Sequence, residues 1–303
     1  TRVVDRKQNK NVSETDRNAC EGNITKKVCW EALQSMKSGK SPGNDGLTKE
    51  FYVCFFNEIS SYLIDALNLS FKSGELSTSQ KQAIITLIEK KEKDKRFIKN
   101  WRPISLINVD AKILSKVLAM RLRKVLTNIV HCNQTAYVNG RYIGESIRLI
   151  SDILEYTDKH DMEGILFSAD FEKAFDSIEH NFLFATLKSF GFGPQFIQWI
   201  RTILKNPESC VMNNGHSTGY FQLQRGTRQG DPLSAYLFIL CVEILFIQVR
   251  DNKDIKGIVI DKQEMKLSAF ADDADFVLSN VKSIEILFQT CKNFQSYSSL
   301  KLN

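Results

Sequence analysis

The sequence is poor in proline and has no long apolar run. Five prolines in 303 residues argue against extended linkers between domains. The longest apolar run, AYLFILCV at residues 235–242, ends at Glu243, whereas a membrane-spanning helix needs about 20 apolar residues. The start of the chain does not resemble a signal peptide. We therefore expect no membrane partner.

Metal-binding spacings of cysteine and histidine are also missing. The seven cysteines include no CxxC pair, which excludes a zinc ribbon. The four histidines lie far apart in the sequence, which argues against a histidine metal site. Most cysteines have apolar neighbours, as in LFILCVEIL. We interpret them as buried, reduced thiols of an intracellular protein.

The composition is that of an ordinary globular protein. Hydrophobic residues make up 43% and charged residues 25%, so disorder, collagen and coiled coil are excluded as the main state. The length allows two domains. The net charge of +6 is compatible with a polyanionic partner but does not require one. Because the chain begins at Thr1 and stops in a polar stretch at Asn303, we expect a piece of a longer protein.

The first half of the chain combines helices with one hairpin. Residues 1–23 are polar and predict a poorly ordered arm. Apolar spacing predicts helices over residues 24–38, 47–73 and 110–127. Residues 83–88, AIITLI, predict a buried strand, and WRPISLI after a charged turn suggests its hairpin partner. Lys112, Lys116 and Arg123 share one face of the third helix. This basic face could be solvated surface or could contact nucleic acid.

The second half predicts an antiparallel sheet. GILFSAD at 164–170 is an apolar run that ends in an acid, and Asn214-Gly215 is a strong hairpin signal. Helices are expected over 179–205, with a break near Gly191, and over 233–250. KLSAFADDADFVLS at 266–279 predicts two short strands around an Asp-Asp tip. The order favours an α+β fold with helices on one face of the sheet.

Three acids stand out at strand ends. Asp170 ends an apolar strand, and Asp272 and Asp273 occupy the hairpin tip. Each alone is commonplace, because Asp tolerates turn geometry. If neighbouring strands bring them together, their charges repel unless cations lie between them. Two Mg²⁺ ions about 3.5–4 Å apart would supply that neutralisation.

The segments around these acids resemble a known enzyme family. SADFEKAFDSIEHNFL contains Asp170, QRGTRQGDPLSAYLF follows it, and LSAFADDADFVL contains Asp272. They resemble motifs A, B and C of reverse transcriptases of the non-LTR (LINE-type) retrotransposon group. KSGKSPGNDGLTKEFY, LIEKKEKDKRFIKNWRPISLINVDAKILSKVLAMRL, NQTAYVNGRYIGESI and FQSYSSLKLN resemble further blocks of that group, in its order, over roughly residues 25–303.

The resemblance implies a role for each matched residue. Asp170 and Asp272 match the metal-binding acids, and Asp273 matches the second, less critical acid of motif C. Phe175 matches the aromatic residue that excludes a ribose 2′-hydroxyl. The remaining matches are Gln229 and Gly230 for the nucleotide pocket, Arg102 for the triphosphate, and Lys90, Lys91 and Lys95 as weaker candidates for nucleic-acid contact. Lys112 and Lys116 are weak candidates for nucleic-acid contact because of the basic helix face, and not because of the resemblance.

Two positions depart from the usual motifs. Phe270 stands where many relatives have Tyr, and Ala235 where relatives often have Pro. We expect neither to change the chemistry.

The resemblance also implies a fold and a reaction. It implies the fingers and palm of a right-hand polymerase, with an antiparallel palm sheet and helices on one face. The expected division is an arm at 1–24, fingers at 25–160 and a palm at 161–303, truncated before the thumb. The implied reaction is RNA-templated DNA synthesis from dNTPs on a DNA primer, with two Mg²⁺ ions, or Mn²⁺ in their place. The primer would be a nicked target-DNA end, made by an endonuclease that this chain lacks.

Three alternatives stay open at this point. The chain could be a non-catalytic RNA-binding remnant of a retroelement, a related polymerase of the group II intron or telomerase type, or an acidic-cluster nuclease. The intact acids argue against the first, and a nuclease would not explain Phe175 or Gln229. The sequence carries no localisation signal, although integration implies a nuclear step, and it leaves the oligomeric state undetermined.

Overall fold

The computed structural model describes residues 11–303. Within them the chain divides into two compact units. Unit 1 contains Arg123–Gly191 and Ala235–Asn303, with residues 11–13, and unit 2 contains Glu14–Leu122 and Phe192–Ser234. The division into arm, fingers and palm stays a prediction. Across the described part of the chain, no helix has both the length and the apolar character needed to cross a membrane.

Among residues 11–303, five helices precede the first strand, and helices and strands follow one another in groups after it. The helices are α1 (Glu14–Cys20), α2 (Lys26–Ser35), α3 (Lys49–Cys54), α4 (Phe56–Ser73), α5 (Thr78–Lys81), α6 (Val109–Ile129), α7 (Ile143–Lys159), α8 (Ala174–Ser177), α9 (His180–Phe190), α10 (Pro194–Ile203), α11 (Ser234–Asp251) and α12 (Val281–Ser298). The strands are β1 (Gln82–Glu89), β2 (Trp101–Ile107), β3 (Ile165–Ala169), β4 (Glu208–Asn213), β5 (His216–Ser217), β6 (Phe221–Gln222), β7 (Ile258–Ile260), β8 (Gln263–Met265), β9 (Leu267–Phe270) and β10 (Asp273–Leu278).

Unit 2 is built around a mixed sheet in the order β2-β1-β4-β5, with β6 also paired to β4. The predicted hairpin is present, because β1 and β2 pair antiparallel from Ala83–Ile107 to Glu89–Trp101. β1 also pairs with β4, in parallel. In the same unit α4 packs against α10, and the ring centroids of Phe71 on α4 and Trp199 on α10 lie 4.5 Å apart.

Unit 1 contains an antiparallel sheet in the order β3-β10-β9. α12 packs against β10 and α9, and Phe182 contacts Phe294 with ring centroids 5.6 Å apart. β7 and β8 form a small separate hairpin that comes before β9 in the sequence. The sheet with its helices is the α+β arrangement predicted from the sequence.

α11 is mostly apolar and is buried along most of its length. Phe238, Leu245 and Phe246 are fully buried, as expected of a helix with no polar face. The acid in its middle, Glu243, is 1% exposed and forms an ion pair with Arg250 two helical turns later. The buried charge of Glu243 is therefore compensated by the charge of Arg250.

Two local predictions need correction. Residues 1–10 of the predicted disordered arm lie outside the described residues, but Glu14–Cys20 form a helix and Cys20 is buried. Arg121 anchors this segment by donating hydrogen bonds to the carbonyls of Cys20 and Gly22. In the β9-β10 hairpin, Phe270 pairs with Asp273. The turn is therefore Ala271-Asp272, one residue earlier than the predicted Asp-Asp tip.

Candidate active site

Strand register brings the three acids to one end of the unit 1 sheet. β3 and β10 pair antiparallel, and Ala169 lies opposite Ala274 in the last pair. One step further along both strands, Asp170 follows Ala169 and Asp273 precedes Ala274. Asp272 occupies the adjoining two-residue turn. Asp170, Asp272 and Asp273 therefore lie at the same end of the sheet, as the strand pattern predicts.

The carboxylates of this end interact electrostatically. Burial raises the pKa of the Asp273 carboxyl, and the negative charges of Asp272 and Asp170 raise it further. Asp170 and Asp273 are exposed, and Asp272 is half-buried. Oxygen donors of this kind suit Mg²⁺, which takes one or two carboxylates and completes its shell with water and substrate phosphate. Within residues 11–303, no group of three or more His, Cys, Asp or Glu side chains is arranged to hold a metal ion.

The neighbouring acids have partners of their own. Ser168 donates a hydrogen bond of 2.5 Å to Asp275. Glu172 pairs with Lys301 at 3.2 Å. Burial raises the pKa of Asp176, which the nearby Lys173 partly offsets. Glu172 and Asp275 therefore have structural partners within the chain.

The backbone that follows Asp170 is held by the last residues of the chain. The Asn303 N–H donates to the Asp170 carbonyl at 2.8 Å, and the Glu172 N–H donates to the Lys301 carbonyl at 2.9 Å. Between them Phe171 and Leu302 form an antiparallel bridge. This short ladder fixes the direction in which the chain leaves β3.

Phe175 lies in the short helix α8 and is half-buried. Its ring centroid is 5.5 Å from that of Phe238, and Phe171 contacts the same ring at 5.9 Å. Phe238 is fully buried, whereas Phe171 is 3% exposed. The buried Phe238 ring thus supports Phe175, which is itself only half-buried.

Two residues near the acids were not predicted from their motifs. The Gln134 side chain bonds to the backbone of Ala271, immediately before Asp272. Tyr137 has a positive φ of 57°, and about half of its surface is exposed. Partial burial raises the pKa of its hydroxyl, and the charge of Asp272 raises that pKa further. Both belong to the NQTAYVNGR block, whose spacing alone predicts no contact with motif C.

Gln229 and Gly230 lie in unit 2 and contact strand β2. The Ser105 N–H donates to the Gln229 carbonyl at 2.8 Å. Gly230 has φ of +109°, and a Cβ there would lie 3.0 Å from the Ser105 carbonyl oxygen. This position therefore requires glycine. Arg102 lies on the same strand and its side chain is exposed.

Lysines predicted to contact nucleic acid occupy different surroundings. Lys112 is half-buried, and burial lowers its pKa, opposed by the charges of Asp231 and Asp45. These contacts favour a structural role for Lys112. At the β1-β2 tip, Lys95 pairs with Glu89 at 2.5 Å, and Lys90 donates to the Lys99 carbonyl at 3.0 Å. Lys91 is exposed, and Lys116 is half-buried on α6.

The site residues thus fall in both units. Unit 1 carries Asp170, Asp272, Asp273 and Phe175. Unit 2 carries Arg102, Gln229, Gly230 and the lysines. The acids are brought together within unit 1, and motif B is brought to the strand of Arg102 within unit 2.

Comparisons with known proteins agree with this geometry. The family model described as "Reverse transcriptase (RNA-dependent DNA polymerase)" matches residues 88–303. The chain is 36% identical over 294 residues to the transposon TX1 uncharacterized 149 kDa protein of Xenopus laevis, covering 96% of this chain and 22% of that protein. It is 27% identical over 282 residues to the retrovirus-related Pol polyprotein from type-2 retrotransposable element R2DM of Drosophila melanogaster, covering 90% of this chain and 26% of that protein.

The fold has a counterpart among solved structures. The telomerase of Candida tropicalis, solved with a fragment of telomeric RNA, superposes with a TM-score of 0.51 at 14% identity, over 85% of this chain and 44% of that one. This likeness confirms the predicted fingers-and-palm type of fold. The chain spans about a quarter of the length of the two transposon proteins. The chain belongs to the reverse transcriptase (RNA-dependent DNA polymerase) family, and its relatives are proteins of non-LTR retrotransposons.

Proposed function

We propose that this chain is the polymerising part of a non-LTR retrotransposon reverse transcriptase. It extends a primer 3′-hydroxyl with dNTPs on an RNA template. The observation that carries the proposal is the placement of Asp170, Asp272 and Asp273 at one end of the β3-β10-β9 sheet, within the segment that matches the family model.

Members of this family generally use divalent metal ions. The oxygen donors of Asp170 and Asp272 fit Mg²⁺, or Mn²⁺ in its place, and we assign them as the ligands of two ions. When bound, such ions activate the primer hydroxyl and stabilise the departing pyrophosphate. Asp273 adds negative charge beside this pair, and its pKa is raised first by burial and then by the charges of Asp272 and Asp170.

Four of the matched residues are proposed to contact the incoming nucleotide. The exposed Arg102 guanidinium offers paired N–H donors to the triphosphate. Gln229 and Gly230 would line the base and sugar pocket, where the absence of a side chain at Gly230 lets the backbone approach the nucleotide closely. The Phe175 ring, supported by Phe238, would occupy the space of a 2′-hydroxyl and so select deoxyribonucleotides.

The template and primer are proposed as RNA and DNA. Binding would rest mainly on contacts to phosphates, which are sensitive to salt. Lys90, Lys91 and Lys95 lie on or beside the β1-β2 tip, and Lys116 lies on α6. We propose the exposed Lys91 as the principal phosphate contact of this tip, since Lys90 and Lys95 already bond within it.

Primer extension on a defined RNA template tests the proposal. The chain is incubated with an annealed DNA primer, dNTPs and Mg²⁺, and the product is sized and digested with DNase. We expect template-length-dependent DNA that disappears when EDTA replaces Mg²⁺. RNA binding without any extension, in Mg²⁺ or Mn²⁺, would instead support a non-catalytic RNA-binding remnant.

A further inference from the structure

The turn that carries Asp272 has an unfavourable backbone conformation at its first residue, Ala271. Ala271 is the first residue of the two-residue turn between β9 and β10 and has φ of +59°. Residues with a Cβ rarely adopt this left-handed region, and they do so only where the surroundings enforce it. Ala271 is also buried, at 6% exposure. Something in the structure must therefore hold this conformation.

The Gln134 side chain makes hydrogen bonds to both backbone groups of Ala271. Its Oε1 accepts from the Ala271 N–H at 2.9 Å and from the Ala136 N–H at 3.0 Å. Its Nε2 donates to the Ala271 carbonyl at 3.2 Å. The amide orientation is fixed by these partners, because a flipped amide would place its NH₂ against two N–H donors. Rotation of either peptide plane flanking Ala271 would break one of the bonds.

Gln134 is itself held rigidly. It is fully buried, and its segment pairs in parallel with β9 through a bridge to Ala269. The Thr135 N–H donates to the Ala269 carbonyl at 3.0 Å, and the Ala269 N–H donates to the Asn133 carbonyl at 2.8 Å. Arg141 donates to the Gln134 carbonyl at 2.8 Å. The side chain thus reaches the turn from a fixed backbone.

We propose that Gln134 is a positioning residue that fixes the Ala271-Asp272 turn and thereby the direction of the Asp272 carboxylate. Gln134 does not touch the reacting groups. It acts through Ala271, whose unfavourable conformation it stabilises from both sides. The effect on turnover rests on the proposed polymerase function, whereas the effect on the turn does not.

The first test measures the turn itself. Gln134→Met keeps the size of the side chain and removes all three hydrogen bonds. Asn133→Ala is the matched control, because Asn133 donates an equivalent amide hydrogen bond of 2.7 Å to Leu267 on the same strand, away from the turn. We expect hydrogen exchange at residues 271–273 to rise about 10-fold or more in Gln134→Met and to stay at the wild-type rate in Asn133→Ala. Wild-type exchange at the turn in Gln134→Met would overturn the proposal.

The second test measures catalysis. Gln134→Met should lower kcat by about 10-fold or more while the KM for dNTP changes little, because the loss falls on the transition state. Adding Ala271→Gly should restore part of kcat, since glycine adopts the left-handed backbone without help. A purely structural residue would give no such rescue. Equal losses in Asn133→Ala, or no rescue by Ala271→Gly, would contradict the proposal.

Two further results remain decisive. If Gln134→Met does not fold, Gln134→Glu takes its place, because it keeps the acceptor and replaces only the donor that faces the Ala271 carbonyl. Faster exchange at residues 271–273 in that variant supports the proposal, and wild-type exchange contradicts it. If the wild-type chain shows no polymerase activity, the proposed function fails, and the exchange measurement still decides whether Gln134 holds the turn.

Discussion

Asp170 lies one residue beyond the last β3-β10 pair, at the end of the sheet where β10 begins with Asp273. The pairing of Ala169 with Ala274 sets this relation, so it depends on register and not on the acids themselves. A slip of one residue would turn every side chain of the strand to the other face. The buried Phe276 and Leu278 of β10 therefore stabilise the site by fixing the register.

Substitution of Phe175 separates sugar selection from core packing. Phe175→Val should raise the ratio of kcat/KM for rNTP to that for dNTP by about 10-fold or more, because the ring no longer overlaps a 2′-hydroxyl. Phe171→Val is the matched control, since Phe171 contacts the same Phe238 ring but is buried. We expect it to lower the melting temperature without changing the ratio. An unchanged ratio with a lower melting temperature in Phe175→Val would assign Phe175 to the core.

Gly230 should not tolerate a side chain. Gly230→Ala places a methyl group 3.0 Å from the Ser105 carbonyl oxygen at a φ of +109°, and we expect a loss of about 1–3 kcal/mol in unfolding free energy. Gly219→Ala is the control, because a Cβ at Gly219 meets no atom within 4 Å and its φ is not positive. Urea unfolding of both variants measures the difference. Equal stabilities would mean that the motif B loop is less constrained than the structure shows.

The ion pair inside α11 predicts that one single substitution lowers the free energy of unfolding much more than the double substitution does. Arg250→Met leaves the Glu243 carboxylate, 1% exposed, without its cation and should cost about 3–5 kcal/mol of unfolding free energy. Glu243→Leu combined with Arg250→Met removes both charges and should recover most of that loss. Arg148→Met breaks an exposed pair with Asp152 and should change the melting temperature little. A double variant no more stable than Arg250→Met would contradict this account of the core.

Thiol reactivity tests the burial of the cysteines. Cys54 and Cys132 are exposed, whereas Cys20, Cys29, Cys210, Cys241 and Cys291 are buried. Burial raises the pKa of Cys29 to about 12 and that of Cys291 to about 12. A raised thiol pKa keeps the neutral form at pH 8, and the neutral thiol is a poor nucleophile. Alkylation at pH 8 should therefore modify Cys54 and Cys132 quickly in the native protein, and the remaining cysteines only after unfolding. Rapid modification of Cys29 under native conditions would contradict the fold around α2.

Local patterns predicted much of the fold. The β-rich run AIITLI and the Asn214-Gly215 turn signal correspond to β1 and to the β4-β5 hairpin. The parallel pairing of β1 with β4 could not be predicted in this way. The two strands are far apart in sequence, and neither has a sequence pattern that identifies the other as its partner. The helix at Glu14–Cys20 was also missed, because its stability comes from contacts with Arg121 and not from its own polar sequence.

The candidate site divides in the same way. The acids were predicted because each follows or joins a recognisable strand, and the β9-β10 turn was displaced by one residue only. The role of Gln134 was not predicted, because Gln134 lies 137 residues before Ala271 in the sequence. Similarly, the sequence alone leaves the role of the basic face of α6 open. Lys112 on this face is half-buried near Asp231, which favours a structural role.

The role of Asp272 as a catalytic metal ligand is the central claim, and one substitution tests it most directly. Asp272→Asn keeps the shape of the side chain and removes one negative charge from the acidic end of the sheet. Asp158→Asn makes the same change at an exposed position on α7. Single-turnover primer extension on an RNA template is measured for both variants beside their RNA affinity. We predict that Asp272→Asn abolishes extension and keeps RNA binding, which rests on phosphate contacts, while Asp158→Asn matches the wild type. Extension by Asp272→Asn at the wild-type rate would contradict the account.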